Sequence, residues 1–590
     1  MTLVASDMRR PSEPLTAGAR PVRSVPNRSA KVAGESGKFG RWLLASRLYS
    51  LTLGYGTPRS FFAVAPDTWP GDQAAGQRLL LGELLVRGIA GPVAPDSDDP
   101  PWQRAGAAAL WLDALNGFGW LRDLRDCGDP AAAPLAVRLV DDWANREWRW
   151  SPVPWRREVL AERIVSWIRH YDWLSTAADA GFAARLVFSL ARQRAHLKRA
   201  VRTGLVGHEA VAALKALVFA DLAFLRDGKR YEKSLEQTLT RLSRFVKRYV
   251  MHDGIVAERA PHLQLAVLRH LLDVRAALAS AERQAPAELV AAIDRMAPML
   301  RLFRHGDGRL AQFNDTSEEY GALADLLLTR SEVRGRPPLS APHSGFQRLQ
   351  CGKTIVIVDT GAPSPQGLDH HAHAGTLSFE MSVGRERLIV NCGAYRGASP
   401  DWRRAARNTA AHSTVIVADT NSAEILADFT IGHRPSVGTT TRAEAEGSLW
   451  IAASHDGYAA EFGLTHSRQL FLSADGDDLR GEDNLTGKQG KSGSAGASFA
   501  IRFHLHPTVQ VSLSQDGGAA LLRLASGTGF RLRAQGAQMS LAESVYLGSG
   551  EMKKTQQIVL SGHVGAEPDG TAGATVKWAI RREGKKAAEE

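Results

Sequence analysis

The stretch DHHAHAGTLSFEMSVGRERLIVNCGAY, residues 369–395, combines a strand pattern with a cluster of histidines. The segments LSFEMSV and RLIVNC are short, rich in apolar residues and separated by a glycine-containing turn, which is typical of an antiparallel hairpin. His371 and His373 are two residues apart, and in a strand that spacing places both side chains on one face. A third imidazole, His412, follows in the segment AAHSTVIVA. The pattern predicts a hairpin that gathers histidines at one end.

Strand patterns surround this hairpin on both sides. Short apolar segments such as KTIVIVD, SLWIAAS, RQLFLS and ASFAIRFHLHP are separated by Gly, Asp and Asn. Many short strands with regular turn signals indicate an antiparallel sandwich. We therefore predict an antiparallel β-sandwich domain over residues 346–580.

The first half of the chain has a different period. In WRREVLAERIVSWIRHYDWLS, apolar residues recur every three or four positions, which is the helical spacing. Ala and Leu are abundant here, and no strand patterns alternate with the helices. This indicates an all-α layer of helical hairpins over residues 40–330. The proline-rich segment around RGRPPLSAP predicts a linker at residues 331–345.

The two ends of the chain lack the patterns of folded elements. Residues 1–39 are dominated by Pro, Ser, Gly and Arg, which predicts a disordered tail and not a standard secretory signal peptide. Residues 581–590 predict a solvated charged tail. No run of about 18 apolar residues occurs, so we expect no transmembrane helix.

Length and charge restrict the class of protein. A chain of 590 residues is too long for one core, so two or three domains are expected. The formal net charge of +11 favours an anionic partner: an acidic polysaccharide, a nucleic acid or a membrane surface. No nucleic-acid-binding motif is recognisable, so we expect no nucleic-acid partner. The 3 cysteines indicate neither a disulfide framework nor a zinc cluster, and the oligomeric state stays open.

The histidine cluster allows two interpretations. Two imidazoles and a third ligand from a neighbouring strand suit zinc, and a remaining histidine on the same face can exchange protons. Alternatively, these histidines are ordinary polar residues at strand ends. Sequence spacing alone leaves both interpretations open.

Several segments resemble the heparinase II/III superfamily of polysaccharide lyases, which includes alginate lyases. They are the His-x-His at residues 371–373, VNCGAY in place of a family segment like VDPGTY, and AAHST in place of AHNT or AHST. FNDTSEE at 313–319, residues 455–472 and LRGEDNL at 479–485 are similar too. WRREVLAERIVSWI resembles the helical segment that lines the family's sugar cleft.

The resemblance implies an α + β fold, an N-terminal helical (α/α) toroid followed by an antiparallel β-sandwich. It also implies β-elimination from uronate-containing anionic glycans such as glycosaminoglycan or alginate. By this resemblance His371 is catalytic, and His373 and His412 are zinc ligands. The family's aspartate ligand is Asn391 here. Because an amide oxygen is a weaker donor, we expect zinc to bind weakly or not at all.

The helical half departs from the family in two places. The family neutralises the substrate carboxylate with an Asn-His pair at a helix start, where this chain has Gly207-His208 followed by Glu209. The family's usual tyrosine base falls at Leu263, which cannot take a proton. His262 is either a substitute base or a surface residue, and Tyr320 and Tyr395 are further candidates.

Three helical residues are candidates for sugar binding. Aromatic rings stack on sugar faces and arginine grips carboxylates, so Trp155, Arg163 and Trp167 are predicted to contact the substrate, with Glu209 beside them. For Trp167 core packing is the competing interpretation.

Three functions fit these observations. The first is an eliminative lyase, the second a non-catalytic binding protein for anionic exopolysaccharide with an eroded site. The third is a zinc-free hydrolase that uses Glu209 and Glu258. Family resemblance places the protein in the periplasm or cell envelope, whereas the missing signal peptide indicates the cytoplasm.

Overall fold

The computed structural model describes most of the chain. It covers residues 38–54, 56, 58, 61–62, 65–94, 101–202, 204, 206–397, 399–487, 495–566 and 571–584. Almost all of the predicted N-terminal tail and most of the predicted C-terminal tail lie outside these residues. Among the described residues, one compact unit holds 38–249 and 266–293, and a second holds 250–265 and 294–584. No helix in the described part of the chain is both long and apolar enough to cross a membrane.

The first unit is built from helices. Their bounds are α1 Lys38–Ala45, α2 Arg47–Leu53, α3 Gln73–Leu80, α4 Ala109–Gly117, α5 Leu121–Asp126, α6 Ala132–Arg146, α7 Arg157–Arg169, α8 Tyr171–Ser175, α9 Phe182–Ala200, α10 Gly207–Ala223 and α11 Lys229–Tyr249. The predicted apolar stripe of α7 is buried along its length, at Val159, Leu160, Ile164, Trp167 and Ile168. This unit is not purely helical, because β1 (Glu83–Val86) and β2 (Ile89–Pro92) form a short antiparallel hairpin that the sequence analysis missed.

Three further helices connect the helical part of the sequence to the strands. They are α12 (Pro261–Ser280), α13 (Ala287–Leu302) and α14 (Gly321–Ser331). Helix α14 ends near the start of the predicted linker. Residues 250–265 and 294–330 belong to the same compact unit as the strands, whereas the sequence analysis assigns them to the helical domain. One reason is Arg259, whose guanidinium pairs with Asp359 and donates to the Ser344 carbonyl.

The strands of the second unit form two antiparallel sheets. Their bounds are β3 Ser340–Ala341, β4 Phe346–Cys351, β5 Thr354–Asp359, β6 Phe379–Val383, β7 Glu386–Val390, β8 Val415–Val417, β9 Thr441–Ala445, β10 Ser448–Tyr458, β11 Leu464–Leu472, β12 Asp478–Gly487, β13 Ser498–Leu505, β14 Gln510–Leu513, β15 Ala519–Arg523, β16 Gly529–Gln535, β17 Gln538–Tyr546, β18 Lys553–His563, β19 Gly565–Ala566 and β20 Ala572–Arg582. Short helices α15 (Pro400–Ala405) and α16 (Ala459–Phe462) interrupt them.

Within the described residues each sheet has nine strands. One has the order β14-β15-β16-β20-β12-β11-β10-β9, with β19 beside β20. The other has the order β17-β18-β13-β7-β6-β5-β4-β3, with β8 beside β13. The predicted hairpin is the β6–β7 pair. The helical region followed by antiparallel sheets confirms the predicted fold class.

Alternating burial along the strands builds one core between the sheets. Strands β10 and β11 bury every second side chain, as expected when one face of a sheet is packed. Phe379 of one sheet stacks on Trp578 of the other, with ring centroids 5.6 Å apart. The period of two thus sets the buried face of this sheet, whereas β5 of the other sheet is buried at every position.

A buried ion pair lies inside this apolar core. Asp483 accepts hydrogen bonds from Arg468 Nε at 2.7 Å, from His466 Nε2 at 2.8 Å and from Trp578 Nε1 at 2.9 Å. Burial raises the pKa of Asp483, but the Arg468 charge and the His466 hydrogen bond outweigh it and hold the pKa below its ordinary value. Arg468 Nη1 also donates to the carbonyls of Leu377 at 2.8 Å and Ser413 at 2.9 Å. The pair thus holds the loops that contain Leu377 and Ser413 as well as strands β11 and β12.

Asp483→Ala should destabilise the sandwich strongly, because it leaves the buried Arg468 charge without its partner. We expect a loss of about 3 to 5 kcal/mol in the free energy of unfolding, measured by urea titration of the full-length protein. Glu482→Ala is the matched control. Glu482 is the preceding residue on β12 and is 3.5 Å from the half-exposed Lys577, so its loss should cost less than about 1 kcal/mol. Equal effects of the two variants would contradict this account of the core.

Candidate functional site

His371 lies beside a carboxylate that the loop at residues 313–319 presents. His371 Nδ1 and Asp315 Oδ2 are 2.9 Å apart, and the His371 side chain is 27% exposed. Since a carboxylate only accepts, Nδ1 carries the proton and donates it. In the neutral ring Nε2 then holds the lone pair, so His371 is arranged to act as a base.

The backbone that presents Asp315 adopts an unusual conformation. Asn314 and Asp315 are consecutive residues with φ of 48° and 64°, in the left-handed region. Asn and Asp enter that region more readily than other side chains, which explains the residue types. Asn314 secures the turn, since its Oδ1 accepts from the His373 amide at 3.1 Å and its Nδ2 donates to the Arg259 carbonyl at 2.8 Å.

Asp315 is buried and stays charged. Burial raises the pKa of Asp315, but the hydrogen bond from His371 outweighs it and holds the pKa well below its ordinary value. The carboxylate is thus negative over the whole neutral range and accepts the hydrogen bond from His371 Nδ1.

Two sequence-predicted base candidates lie next to His371. The His262 ring is edge-on to His371 with centroids 5.1 Å apart, and Tyr320 is parallel to His262 with centroids 6.3 Å apart. His262 is the second residue of helix α12, and its backbone amide donates to Thr316 Oγ1 at 3.1 Å. Its neighbour Leu263 is buried in the core. The third candidate, Tyr395, stacks on Trp402 at 6.1 Å.

Arg396 brings a positive charge to the same cluster. Its Nη2 donates to the Asp315 carbonyl at 2.7 Å, and its guanidinium carbon lies 5.8 Å from the Tyr320 ring centroid. The cluster therefore combines an imidazole held by a carboxylate, a second imidazole, a phenol and a guanidinium. Such a set can bind an anion and move protons.

His371 and His373 do not share a strand face, which corrects the sequence prediction. Both lie in the loop before β6, which begins at Phe379. They nevertheless converge, because His373 Nε2 accepts the Asp315 amide N–H at 3.0 Å. Convergence comes from the loop at Asp315 and not from strand alternation.

The three predicted zinc ligands lie near one another. His373 Nδ1 is 3.1 Å from His412 Nε2, and His412 Nδ1 donates to the Asn408 carbonyl at 2.8 Å. Burial lowers the pKa of both imidazoles, that of His412 most strongly. Asn391 Oδ1 accepts the amide N–H of Ser413, the residue next to His412, at 3.0 Å. Among the described residues, no group of three His, Cys, Asp or Glu side chains is arranged to hold a metal ion.

These donors fit zinc poorly. His373 Nε2 accepts the Asp315 amide, so a neutral His373 carries its proton on Nδ1, the nitrogen that faces His412. The oxygen of Asn391 is oriented toward the Ser413 amide. The remaining Asn391 atom, Nδ2, is buried without an acceptor among the described residues and has no lone pair to offer. The family's aspartate would supply an oxygen where this chain supplies an N–H₂ group.

A further buried histidine, His504, forms hydrogen bonds with residues on either side of His412. His504 Nε2 donates to the Ala410 carbonyl at 3.0 Å, and its Nδ1 accepts from Ser544 Oγ at 2.8 Å. Its own amide donates to Ser413 Oγ at 3.0 Å. Burial lowers the pKa of His504 to about 4, and the Ala410 hydrogen bond offsets this only in part.

The predicted carboxylate-binding residues lie in the helical unit. Helix α10 begins at Gly207, whose φ of 58° is left-handed, and His208 and Glu209 occupy its first turn, half-buried. Burial first, and the nearby Glu158 second, raise the pKa of Glu209. Their roles stay predictions.

The predicted sugar contacts of Trp155, Arg163 and Trp167 disagree with their burial. Their exposures are 2%, 0% and 0%, which leaves no surface for a ligand. Arg163 instead donates to Gln193 Oε1 at 2.9 Å and to the carbonyls of Asn116 at 2.7 Å and Pro154 at 2.8 Å. These residues hold the interior of the helical unit together, which corrects the expectation of a sugar-facing surface.

Comparison with known proteins agrees with this architecture. A family model described as "Heparinase II/III-like, C-terminal" matches residues 333–581. FtsZ-localized protein C of Caulobacter vibrioides (strain NA1000 / CB15N) is 32% identical over 565 residues, which is 93% of this chain and 95% of that protein. This chain belongs to the heparinase II/III superfamily.

Solved structures of the superfamily share the fold at low identity. A crystal structure of heparinase III has a TM-score of 0.69 at 15% identity, with 91% of this chain and 88% of that chain covered. Heparan sulfate lyase HepC from Pedobacter heparinus has a TM-score of 0.60 at 16% identity, covering 93% and 89%. At this level of identity the similarity concerns the fold alone.

The sequence did not identify Asp315 and Arg396 as functional residues of the site. Asp315 lies within the matching segment FNDTSEE, but 56 residues separate it from His371, so only the folded chain pairs them. Arg396 follows Tyr395 in the hairpin stretch without any motif of its own. The consecutive residues Asn314 and Asp315 were the one feature of the sequence that could have indicated a left-handed turn here.

The stability of the protein should fall as the pH drops below about 6.5, where a histidine in the unfolded chain takes up a proton. The folded pKa of His504 is depressed to about 4, so its contribution is complete above pH 6.5 and is lost between pH 6.5 and 4. The loss from this group amounts to about 3 kcal/mol. Urea unfolding at pH 7 and pH 4 measures the sum over all such groups, including His170, His196 and His506, whose pKa values burial also lowers to about 4.

Two variants separate this contribution from the rest. His504→Gln should reduce the fall in the free energy of unfolding between pH 7 and pH 4. His370→Gln, at an exposed neighbour of His371, should leave that fall unchanged. A His504→Gln protein with the wild-type pH dependence would contradict the assignment.

Proposed function

We propose that this protein is a polysaccharide lyase that cleaves uronate-containing anionic glycans by β-elimination. The observation that carries the proposal is the short hydrogen bond between His371 Nδ1 and Asp315 Oδ2, with His262 at its side. The superfamily membership supports the same reaction class.

The reaction needs a base for the C5 proton next to the uronate carboxylate. His371 suits this task because Asp315 fixes its tautomer and stabilises the cation that forms, as a carboxylate does for histidine in other enzymes. The carboxylate stays ionised because the hydrogen bond from His371 holds its pKa well below the ordinary value, against the raising effect of burial.

The departing O4 needs a proton, and the developing enolate needs a positive charge. His262 and Tyr320 are the proton donors nearest to His371 in the ring contacts described above. Arg396 supplies the charge, because its guanidinium lies beside Tyr320 and is held by the Asp315 carbonyl. The net charge of +11 favours the approach of a polyanion. His208 and Glu209 remain candidates for contacts to the sugar carboxylate from the helical unit.

His371→Ala should lower eliminative cleavage by about 10² to 10⁴. The assay is absorbance near 232 nm, from the unsaturated sugar end, over a panel of uronate polymers. His370→Ala is the matched control, since the neighbouring His370 is exposed and outside the cluster. Unchanged turnover in a folded His371→Ala protein would remove His371 from the reaction.

His262→Ala tests the second imidazole in the same assay. A fall in turnover supports a rebuilt acid or base in place of the family tyrosine. A tyrosine at position 263 is a poor test, because Leu263 is buried and the larger ring would overpack the core.

A second candidate is a binding protein that grips the glycan without cutting it. Two observations favour it: Leu263 stands where the family has its tyrosine, and the related Caulobacter protein carries a name that refers to localisation with FtsZ. In this proposal the chain also localises with FtsZ and holds an anionic polysaccharide there.

A fluorescent fusion of the full-length protein should then coincide with FtsZ in dividing host cells. The His371→Ala fusion is the control and should localise equally well, since localisation does not need the chemistry. A uniform distribution of the wild-type fusion would contradict the second candidate. Glycan binding without growth of absorbance near 232 nm would favour it over the lyase.

A further inference from the structure

The hydrogen bonds around His373 and His412 have a determined direction. The Asn408 carbonyl only accepts, so His412 Nδ1 carries a proton. The lone pair of a neutral His412 is then on Nε2, which faces His373 Nδ1 at 3.1 Å. His373 Nε2 accepts the Asp315 amide at 3.0 Å, so His373 Nδ1 carries the proton and donates it to His412.

The chain therefore runs in one sense through both rings. The Asp315 N–H donates to His373, His373 donates to His412, and His412 donates to Asn408. Every ring nitrogen is used, and neither ring needs a second proton. The alternative, in which His373 Nε2 donates to Asp315 Oδ1, is weaker because those atoms are 3.5 Å apart.

Asn391 excludes the arrangement that a metal would need. Its backbone N–H donates to Glu380 Oε1 at 2.9 Å, and its side-chain oxygen accepts the backbone N–H of Ser413 at 3.0 Å. Because the oxygen is oriented toward Ser413, the other branch of the side chain is the unpartnered N–H₂ group, which cannot ligate a cation. An aspartate held in the same way would keep a second oxygen in that place.

The surroundings are built closely around this pair. A Cβ added to Gly375 would lie 2.7 Å from His412 Cδ2, so the ring has no room to turn toward that side. His373 and His412 are 4% and 2% exposed. Rotation of either ring would break hydrogen bonds that water cannot replace.

We infer that the pair His373–His412 shares a proton in place of a zinc ion, and that this chain of hydrogen bonds positions Asp315, and through it His371. The positioning role rests on the proposed lyase function. The exclusion of zinc and the direction of the hydrogen bonds do not, so their tests use no activity.

Zinc content is the first test. Wild-type full-length protein, stripped with a chelator and titrated with Zn²⁺ against a chromophoric competitor, should take up no stoichiometric zinc. Asn391→Asp should gain one tight site, and Asn391→Asp combined with His412→Ala should lose it. Asn421→Asp is the matched control, since it adds a carboxylate near Asn408 without touching the pair, and it should gain nothing.

Two outcomes of that titration overturn the inference. One is a tight stoichiometric site in the wild type that disappears in His412→Ala. The other is an Asn391→Asp protein that still takes up no zinc, which would show that the amide is not what excludes the metal.

The second test reads the protons directly. Long-range ¹H–¹⁵N spectra of protein labelled at histidine should show both rings neutral and protonated at Nδ1, with signals assigned by their loss in His373→Gln and His412→Gln. Added Zn²⁺ should leave these signals in place. Protonation of His373 at Nε2, or broadening and shifts on adding Zn²⁺, would overturn the proposed direction.

The positioning role has a kinetic test. His373→Gln keeps an acceptor for the Asp315 amide and should retain most of the turnover, whereas His373→Leu should lower kcat with little change in KM. Equal kcat in both variants would overturn the positioning role and leave the zinc result untouched. Absence of cleavage in the wild type would refute the lyase proposal instead.

Discussion

The pairing of Arg468 with Asp483 is the interaction on which the second unit depends. A charge inside an apolar core is tolerated only when it is matched and its hydrogen bonds are filled. Here the same arginine that neutralises Asp483 also donates to the carbonyls of Leu377 and Ser413. Leu377 lies in the loop before β6 that also carries His373, and Ser413 is the residue after His412. The core thereby fixes the two segments that carry the candidate site.

Asp315 divides the histidines of the site into two kinds. Toward His371 it offers a carboxylate oxygen, which accepts the Nδ1–H of that half-exposed ring. Toward His373 it offers its backbone N–H, which favours a lone pair on that buried ring. One residue thus sets one imidazole up for proton exchange and keeps the next one neutral. Burial decides between these outcomes as much as the hydrogen bonds do.

The fold could be predicted from the sequence because periodicity determines it directly. The three-and-four spacing of α7 and the alternation in β10 and β11 both correspond to buried faces. The candidate site was harder to predict from the sequence. His371, His373 and Asn391 are recognisable by motif, but Asp315 comes from a loop distant in sequence, and Arg396 carries no motif of its own. Trp155, Arg163 and Trp167 were assigned to a sugar surface because residue type alone does not distinguish a ligand contact from a buried one. Whether a side chain is covered depends on the neighbouring helices, which no single segment encodes.

The left-handed backbone at Asn314 and Asp315 limits how this protein can change over generations. Asn and Gly tolerate that conformation, but neither offers His371 a carboxylate. Glutamate would keep a carboxylate on a longer side chain, but it would pay roughly 1–2 kcal/mol for the left-handed geometry. Every single replacement at position 315 therefore gives up either the charge or the backbone. A lineage that abandons the chemistry can still accept only Asn or Gly at this position without backbone strain.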